Sequence, residues 1–276
     1  ERVIIGRNSP KALIVVSQSM KREFIRHYGN AENIIVIPNG VDLKIFNPAN
    51  RLFYRDSLRE RYGISRSEPV LMFAGGDWER KGVPYIIEAL SLLPRPDVKL
   101  VVVGSGDKKF YGQLAELKRV RGRIIFVPHS SNLWEYYAAS DVFVFPTIYE
   151  PFGLVIIEAM ASGLPVITSR VAGAADLIID GVNGLLLRAA SDVNDLAAKI
   201  ELLLSNAELR KAMGERARVT AEKFSWDQVA QKTLGVYHTV LNRPDLERLR
   251  VSVPERLPER LSRVEHLRKP QRSGGG

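Results

Sequence analysis

Two glutamates, Glu150 and Glu158, have seven residues between them and are the side chains of this sequence best suited to chemistry. Paired acids can act as acid and base in hydrolysis. They can also accept hydrogen bonds from the hydroxyls of a sugar or a ribose. A third interpretation is that the helix dipole stabilises acidic side chains near the helix amino terminus. This explains Glu150, in the loop before the helix, better than Glu158, inside the helix.

The elements around the two glutamates place them at the edge of a sheet. The apolar run 142–145 predicts a buried strand, and residues 154–161 predict a helix that begins between the two acids. In an open parallel sheet, ligands bind outside the carboxyl ends of the strands, beside helix amino termini. The first amides of a helix lack acceptors and suit an anion. We therefore expect the amides of Phe152, Gly153, Leu154 and Val155 to face a ligand.

A second set of candidate residues follows another predicted strand, 70–74. Gly75 and Gly76 allow a ligand close to the backbone. The adjacent cations Arg80 and Lys81 suit phosphate, since arginine offers a planar fork of donors and lysine a point charge. The spacing is not that of a Walker A loop. The alternative is a solvated turn.

Other cofactor signals in the sequence are weak. Gly104-Ser105-Gly106 begins like a dinucleotide fingerprint, but Lys109 stands where the third glycine belongs, so we expect a turn and not NAD binding. The four histidines lack metal-ligand spacing, Asp-x-Asp does not occur, and cysteine is absent. We expect no cofactor and no requirement for a metal. The charge of a bound diphosphate would then be met by Arg80, Lys81 and helix amino termini.

The composition is that of an ordinary globular protein with a basic surface. The formal net charge is +9, of which +4 lies after residue 242. No zinc-finger pattern or stripe of aromatic and basic residues occurs, so nucleic acid is not an expected partner. Peripheral contact with an anionic membrane is the alternative to a generally basic surface. Because no apolar run approaches a membrane span and cysteine is absent, we expect a cytoplasmic protein.

Apolar runs and helical patterns alternate along most of the chain. Six predicted strands between residues 70 and 187 alternate with helices, which indicates an α/β fold with a Rossmann-like, doubly wound parallel sheet. We place this domain at residues 43–224 and a last helix at residues 225–241. Residues 1–42 carry two strands without a sheet of their own and are expected to be the end of another domain. Residues 242–276 predict a basic, disordered tail.

A series of motifs occurs in order along residues 12–241. They are Val15-Val16-Ser17, Val36-Ile37-Pro38-Asn39-Gly40-Val41-Asp42, Phe46-Asn47-Pro48, Arg80-Lys81-Gly82, Val103-Gly104-Ser105-Gly106, Tyr137-Ala138-Ala139-Ser140-Asp141-Val142-Phe143-Val144-Phe145-Pro146, Glu150-Pro151-Phe152-Gly153-Leu154-Val155-Ile156-Ile157-Glu158-Ala159-Met160-Ala161-Ser162-Gly163-Leu164-Pro165-Val166-Ile167, Asp180-Gly181-Val182-Asn183-Gly184 and Phe224-Ser225-Trp226. Together they resemble the retaining nucleotide-sugar glycosyltransferases of family 4, which have the GT-B fold. The most specific part of the resemblance is the stretch from Glu150 to Ile167.

The resemblance implies a role for each candidate residue in the carboxyl-terminal donor-binding domain of a GT-B enzyme. Glu150 would approach the donor sugar and support the charge that develops at its anomeric carbon. Glu158 would bind the ribose hydroxyls, and Arg80 and Lys81 would hold the diphosphate leaving group. The other implied donor-binding residues are Gly75, Gly76, Phe152, Gly153, Leu154 and, at the base-binding edge, Val127, Pro128 and His129.

The resemblance also implies what surrounds this domain. Residues 1–42 would be a remnant of the amino-terminal acceptor domain, and the last helix would pack back on that domain. The enzyme would transfer a sugar from a nucleotide-diphosphate sugar to an unidentified acceptor, with retention of configuration. Gly76 departs from the pattern, since many members have arginine there. The alternatives are a non-catalytic nucleotide-sugar binding module and a GT-B epimerase or phosphorylase.

Overall fold

The amino-terminal part of the chain forms a small β–α–β unit in the computed structural model, which describes residues 10–29 and 33–241. Strand β1 (Leu13–Val15) leads into helix α1 (Gln18–Tyr28), which is followed by strand β2 (Ile34–Val36). The two strands pair in parallel, Ile14 opposite Ile35. The expectation that they have no sheet of their own is therefore wrong, because α1 provides the crossover that two parallel strands need.

A second, six-stranded sheet forms the centre of the chain. All neighbouring strands that pair in it are parallel, in the order β5–β4–β3–β6–β7–β8. Its central strands are fully buried, which explains why their sequences are continuous apolar runs. The strands are β3 (Val70–Ala74), β4 (Lys99–Val103), β5 (Ile124–Val127), β6 (Val142–Phe145), β7 (Val166–Ser169) and β8 (Leu185–Leu187).

Helices connect the parallel strands of this sheet and pack in groups against one another. The helix that follows β3 packs on the helix that follows β8. The helix that follows β6 packs on the eighth helix of the chain. The predicted α/β, doubly wound fold is thereby confirmed. The helices are α2 (Arg51–Arg61), α3 (Val83–Leu92), α4 (Lys108–Leu117), α5 (Leu133–Ala139), α6 (Leu154–Ala161), α7 (Val193–Ser205), α8 (Ala207–Ala221) and α9 (Trp226–Leu241).

The last helix, α9, begins at a capping box. The Ser225 amide donates to the Gln228 side chain at 3.2 Å, and the Gln228 amide donates to Ser225 Oγ at 3.3 Å. None of the α9 side chains is buried, and Trp226 is 49% exposed. The packing of α9 on an amino-terminal domain stays a prediction. The predicted tail, 242–276, lies outside the described residues, as do residues 1–9 of the predicted remnant.

Candidate functional site

The strand order of the large sheet reverses between β3 and β6, which are neighbours although two strands separate them in the sequence. In doubly wound folds, the crevice outside the carboxyl ends of the strands at such a point is where ligands bind. Two loops leave the sheet at this point. One follows β3 and contains Gly75 to Gly82, and the other follows β6 and contains Pro146 to Gly153. Both sets of candidate residues therefore meet at one place.

The Lys81 side chain is enclosed between the two loops. Its Nζ lies 3.6 Å from Glu150 Oε2 and 5.7 Å from the centre of the Phe145 ring. Gly75 makes room for it, because a Cβ there would lie 3.0 Å from Lys81 Cδ and 3.1 Å from Nζ. The side chain is 18% exposed. Its ammonium group is thus fixed in the crevice, and among residues 10–29 and 33–241 its one ion-pair partner is the loosely placed Glu150 carboxylate.

Arg80 holds the loops together. Its Nε donates to Asp77 Oδ2 at 2.7 Å, its guanidinium also donates to the Tyr149 carbonyl, and it lies 3.7 Å from Glu150 Oε2. The hydrogen bond from Arg80 lowers the pKa of Asp77. Arg80 donates direct hydrogen bonds to two of these three partners, Asp77 and the Tyr149 carbonyl. Arg80 is therefore less available to a ligand than Lys81, a difference that the adjacent cations do not reveal in the sequence.

The backbone around Glu150 is fixed by a neighbouring loop. Its carbonyl accepts from the Gly173 amide at 2.8 Å, and the Phe152 carbonyl accepts from the Ala174 amide at 2.7 Å. A Cβ on Gly173 would lie 2.0 Å from the Pro151 carbonyl oxygen, so only glycine permits this approach. The Glu150 side chain is 15% exposed beside Lys81. The carboxylate is thus held at the crevice by a rigid backbone.

Glu158 lies deeper, inside α6. Its Oε2 accepts a hydrogen bond from the Tyr137 hydroxyl at 3.1 Å, and the same hydroxyl lies 3.1 Å from the Val155 carbonyl. Burial raises the pKa of Glu158, although the hydrogen bond from Tyr137 acts in the opposite direction. Burial also raises the pKa of Tyr137. A polar ligand that donated to the other carboxylate oxygen would stabilise the ionised form of Glu158.

The amino end of α6 presents free backbone donors to the crevice. The first amide of this region that donates to the helix is that of Ile156, which reaches the Gly153 carbonyl at 2.9 Å. The four preceding amides, those of Phe152, Gly153, Leu154 and Val155, have no acceptor among the described residues. Gly153 has φ of +95°, a backbone conformation that suits glycine. The free amides lie where the sequence predicts an anion site, and the binding of an anion there stays a prediction.

The predicted base-binding residues lie at the carboxyl end of β5, two strands away from β3. Val127 is buried, and its carbonyl accepts from the Gly104 amide at 3.0 Å, whereas Pro128 and His129 are exposed. A Cβ on Gly104 would lie 2.1 Å from the Gly75 carbonyl oxygen. Gly104 therefore allows two loops to pack closely, which explains this glycine without a dinucleotide.

Trp78 is a part of the site that the residue types alone did not indicate. Its ring is buried, stacks on Phe126 with centres 5.3 Å apart, and donates from Nε1 to the Gly75 carbonyl at 2.9 Å. A Cβ on Gly106 would lie 2.1 Å from this ring. Trp78 thus fixes the loop that carries Lys81. The sequence did offer a signal for this role, since a large aromatic residue stands between the two glycines and the two cations of the loop.

The β1–α1–β2 unit touches the same loops. Ser17 Oγ donates to the Pro151 carbonyl at 2.8 Å, and the Tyr149 hydroxyl donates to Glu23 at 3.1 Å. The Gln18 amide, at the start of α1, donates to Asp176 at 2.7 Å. The unit therefore supports the Glu150 loop through hydrogen bonds from Ser17 and to α1. These contacts join residues more than 120 positions apart, and no local pattern predicts them.

Within residues 10–29 and 33–241, no group of three or more His, Cys, Asp or Glu side chains is arranged to hold a metal ion. None of the helices in that part of the chain is both long and apolar enough to cross a membrane.

Comparison with known families gives two matches along the chain. Residues 54–220 match the model of glycosyl transferases group 1. Residues 2–45 match the model of Glycosyltransferase Family 4. The first match contains every candidate residue of the crevice, and the second contains the β1–α1–β2 unit.

Individual relatives agree with these matches. A D-inositol 3-phosphate glycosyltransferase from Xylanimonas cellulosilytica is 34% identical over 236 residues, which cover 82% of this chain and 56% of that protein. The crystal structure of a glycosyltransferase from Rickettsia africae has a TM-score of 0.78 and 26% identity, covering 84% of this chain and 64% of that one. HepE from Anabaena, in complex with UDP-glucose, has a TM-score of 0.74 and 25% identity, covering 87% and 66%. The chain thus spans less than two thirds of each.

Proposed function

Because this chain belongs to the glycosyl transferases group 1 family, we propose that it is the donor-binding part of an enzyme that transfers a sugar from a nucleotide-diphosphate sugar. The family match confirms the resemblance drawn from the motifs. The observation that carries the proposal is the meeting of Lys81, Glu150 and the free amides of the α6 amino end at the point where the strand order reverses. The acceptor is a glycan, a lipid or a small molecule.

The diphosphate of the donor binds between Lys81 and the amino end of α6. A fixed ammonium group and free amides are complementary to phosphate oxygens, and the helix dipole adds to their effect. Lys81 is well suited because its carboxylate partner lies at 3.6 Å, which is longer than a charge-assisted hydrogen bond. Arg80 contributes mainly by holding Asp77 and Tyr149 in place. The diphosphate is bound without a metal or another cofactor.

Glu150 acts on the sugar. Breaking the bond between sugar and phosphate leaves negative charge on the phosphate and positive charge on the ring. Lys81 and the amides stabilise the first, and the Glu150 carboxylate stabilises the second, more strongly in the transition state than in the ground state. Attack by the acceptor on the face that the phosphate leaves gives retention. The anomeric proton coupling of the product, compared with that of the donor, tests this point.

Glu158 binds the ribose, and the base lies at the end of β5. The second oxygen of Glu158 is free to accept from ribose hydroxyls while Tyr137 holds the first. Val127, Pro128 and His129 form the edge against which the base packs. A UDP-sugar is the first donor to test, because the similar HepE structure contains UDP-glucose.

Calorimetric titration with UDP, GDP, ADP and CDP, first without metal and then with magnesium, tests the proposal. We expect one nucleotide to bind without metal. Lys81→Ala should weaken it about tenfold or more, since a hydrogen bond to a charged group contributes about 1.5–3 kcal/mol. Glu158→Ala should weaken it to a similar extent for the same reason.

Matched controls separate the site from general charge effects. Lys223→Ala and Glu116→Ala remove exposed side chains outside the site and should leave the affinity unchanged. A folded chain that binds none of the four nucleotides would contradict the proposal. So would binding that Lys81→Ala leaves intact.

A further inference from the structure

A second, basic cleft opens at the opposite edge of the large sheet. It lies beside Asp141, just before β6, and beside Gly163 to Pro165, just before β7, and α2 and α8 form its walls. The cleft and the crevice lie at opposite ends of these strands, and a strand of four residues is about 13 Å long. Its volume is about 580 Å³, which is ample for a phosphate and an attached group. None of its lining residues belongs to the proposed donor site.

Positive side chains dominate the lining of this cleft. Two carboxylates, Asp141 and Glu215, face five cations, so the cleft has a surplus of three positive charges. The cations are Arg51, Arg55, Arg210, Lys211 and Arg218. Such a surplus in a concave surface attracts anions, because the low-dielectric walls concentrate the field.

Hydrogen bonds to carbonyl oxygens position Arg210 and Arg218, and Arg210 has no acidic ion-pair partner among the described residues. Arg210 donates to the Leu203 carbonyl at 2.7 Å, and Arg218 donates to the carbonyls of Phe46 and Ala161 at 2.9 and 2.8 Å. Carbonyl oxygens accept hydrogen bonds but carry no net charge. Arg218 also has an ion pair with Glu222 at 2.8 Å, outside the cleft lining. Arg210 and Arg218 are therefore ordered in advance of any ligand.

One of the two carboxylates of the cleft, Asp141, is already bonded to arginines. Asp141 is bonded by Arg55 and by a third arginine behind the cleft, Arg59, at 2.8 Å each, and Arg51 lies 3.5 Å away. One carboxylate thus serves three arginines. Burial, followed by the charge of Arg55, lowers the pKa of Arg51 although Asp141 acts in the opposite direction. Lys211 and Glu215 are exposed and have no ion-pair partner within the described residues.

We propose that this cleft is a binding site for a phosphate group, separate from the donor site. Arg51 and Arg55 form one wall and Arg210, Lys211 and Arg218 the other, so that a phosphate between α2 and α8 receives donors from both sides. Arginine forks match the oxygens of a phosphate in geometry as well as charge. The phosphate belongs either to a soluble ester or to a lipid headgroup, which present the same chemistry.

Titration with inorganic pyrophosphate tests the site, in a Lys81→Ala background that removes the donor-site cation. The buffer contains about 0.15 M salt, so that distant charges are screened. We expect Lys211→Ala to weaken binding about fivefold, and Glu215→Gln, which removes a repelling carboxylate, to strengthen it about twofold to threefold. Lys109→Ala, an exposed lysine at the opposite edge of the sheet, is the matched control and should have no effect.

Co-sedimentation with vesicles identifies the source of the phosphate. Vesicles of phosphatidylcholine with phosphatidylglycerol are compared with vesicles of phosphatidylcholine alone, using the same variants. Pyrophosphate binding with the expected variant pattern supports a soluble ligand. Binding only to the anionic vesicles, with the same pattern, supports a lipid headgroup. If neither probe binds, or if binding ignores Lys211→Ala and Glu215→Gln, the proposal is overturned.

Discussion

Two clusters of cations, each around one carboxylate, lie at opposite edges of the same sheet and have opposite designs. At the amino edge, three arginines surround Asp141. At the carboxyl edge, Arg80 and Lys81 approach Glu150. Both clusters join a loop beside β6 to another part of the chain, and both carboxylates are mostly shielded from solvent, at 11% and 15% exposure. The clusters differ in the distance between cation and carboxylate and in how many hydrogen bonds the carboxylate oxygens accept.

The Asp141 cluster is closed. Both of its carboxylate oxygens receive charged hydrogen bonds of 2.8 Å, and Oδ2 also accepts from the Val70 amide at 2.9 Å. Arg59 is buried, and its remaining donors reach the carbonyls of Ala139, Ser65 and Glu68 at 2.9–3.1 Å. A carboxylate with every position filled has no capacity for a ligand of its own. Its role is to fix α2 against the start of β6.

The Glu150 cluster is open. Its two cations lie 3.6 and 3.7 Å from Oε2, beyond hydrogen-bond distance. Neither contact is tight, and under the proposed function a phosphate replaces the carboxylate as the partner of Lys81. The comparison teaches that ion-pair geometry separates a structural cluster from one that can exchange partners. The variants below test this distinction, beginning with the largest expected effect.

Asp141→Asn should lower the free energy of unfolding by about 3–5 kcal/mol, because removing one partner leaves buried arginine charge uncompensated. Urea unfolding measures this loss. Asp56→Asn is the matched control, since Asp56 pairs with Arg66 at 2.7 Å but both side chains are well exposed. The control should cost less than about 1 kcal/mol. Equal losses in the two variants would mean that the closed cluster is not structural.

Acid should weaken the fold through the same cluster. Burial alone would raise the pKa of Asp141, but Arg55 and Arg59 reverse this effect and hold the pKa below its usual value. A lowered pKa in the folded state means that the contribution is fully present above the unfolded value, about 3.9, and is lost as pH falls through the folded value. The difference in unfolding free energy between the parent chain and Asp141→Asn should therefore shrink below about pH 4. A constant difference down to about pH 3 would contradict this assignment.

Much of the fold was predictable because its signals are local. The bounds of β3, β6 and α6 agree with the sequence prediction, since each is an apolar run or helical stretch that ends at glycine, proline or a polar residue. The pairing of β1 with β2 was not predicted, because it depends on contacts between separate segments. Glu150 and Lys81 were each predicted to follow a strand of the same sheet, and the distance of 3.6 Å between their charged groups was seen only in the structure.

The partners of individual charges were much harder to predict. Arg51, Arg55 and Arg59 are spaced by four residues, which places them on one face of α2, but their carboxylate lies more than 80 positions later. Likewise, the adjacent residues Arg80 and Lys81 look equivalent in the sequence, yet only the structure shows that Arg80 is already bonded. Tertiary packing, and not the spacing of residues in the sequence, decides which cation pairs with which carboxylate.

Glu150→Gln should have the smallest effect on stability and completes the comparison. Its ion pairs are long, and the isosteric amide keeps the shape of the side chain, so the free energy of unfolding should change by less than about 1 kcal/mol. Urea unfolding beside Asp141→Asn gives the direct contrast between two carboxylates of similar exposure. A loss for Glu150→Gln as large as that for Asp141→Asn would show that both clusters are structural. The ion pair between Lys81 and Glu150 would then be needed for stability. The proposal that a phosphate replaces Glu150 as the partner of Lys81 would be wrong.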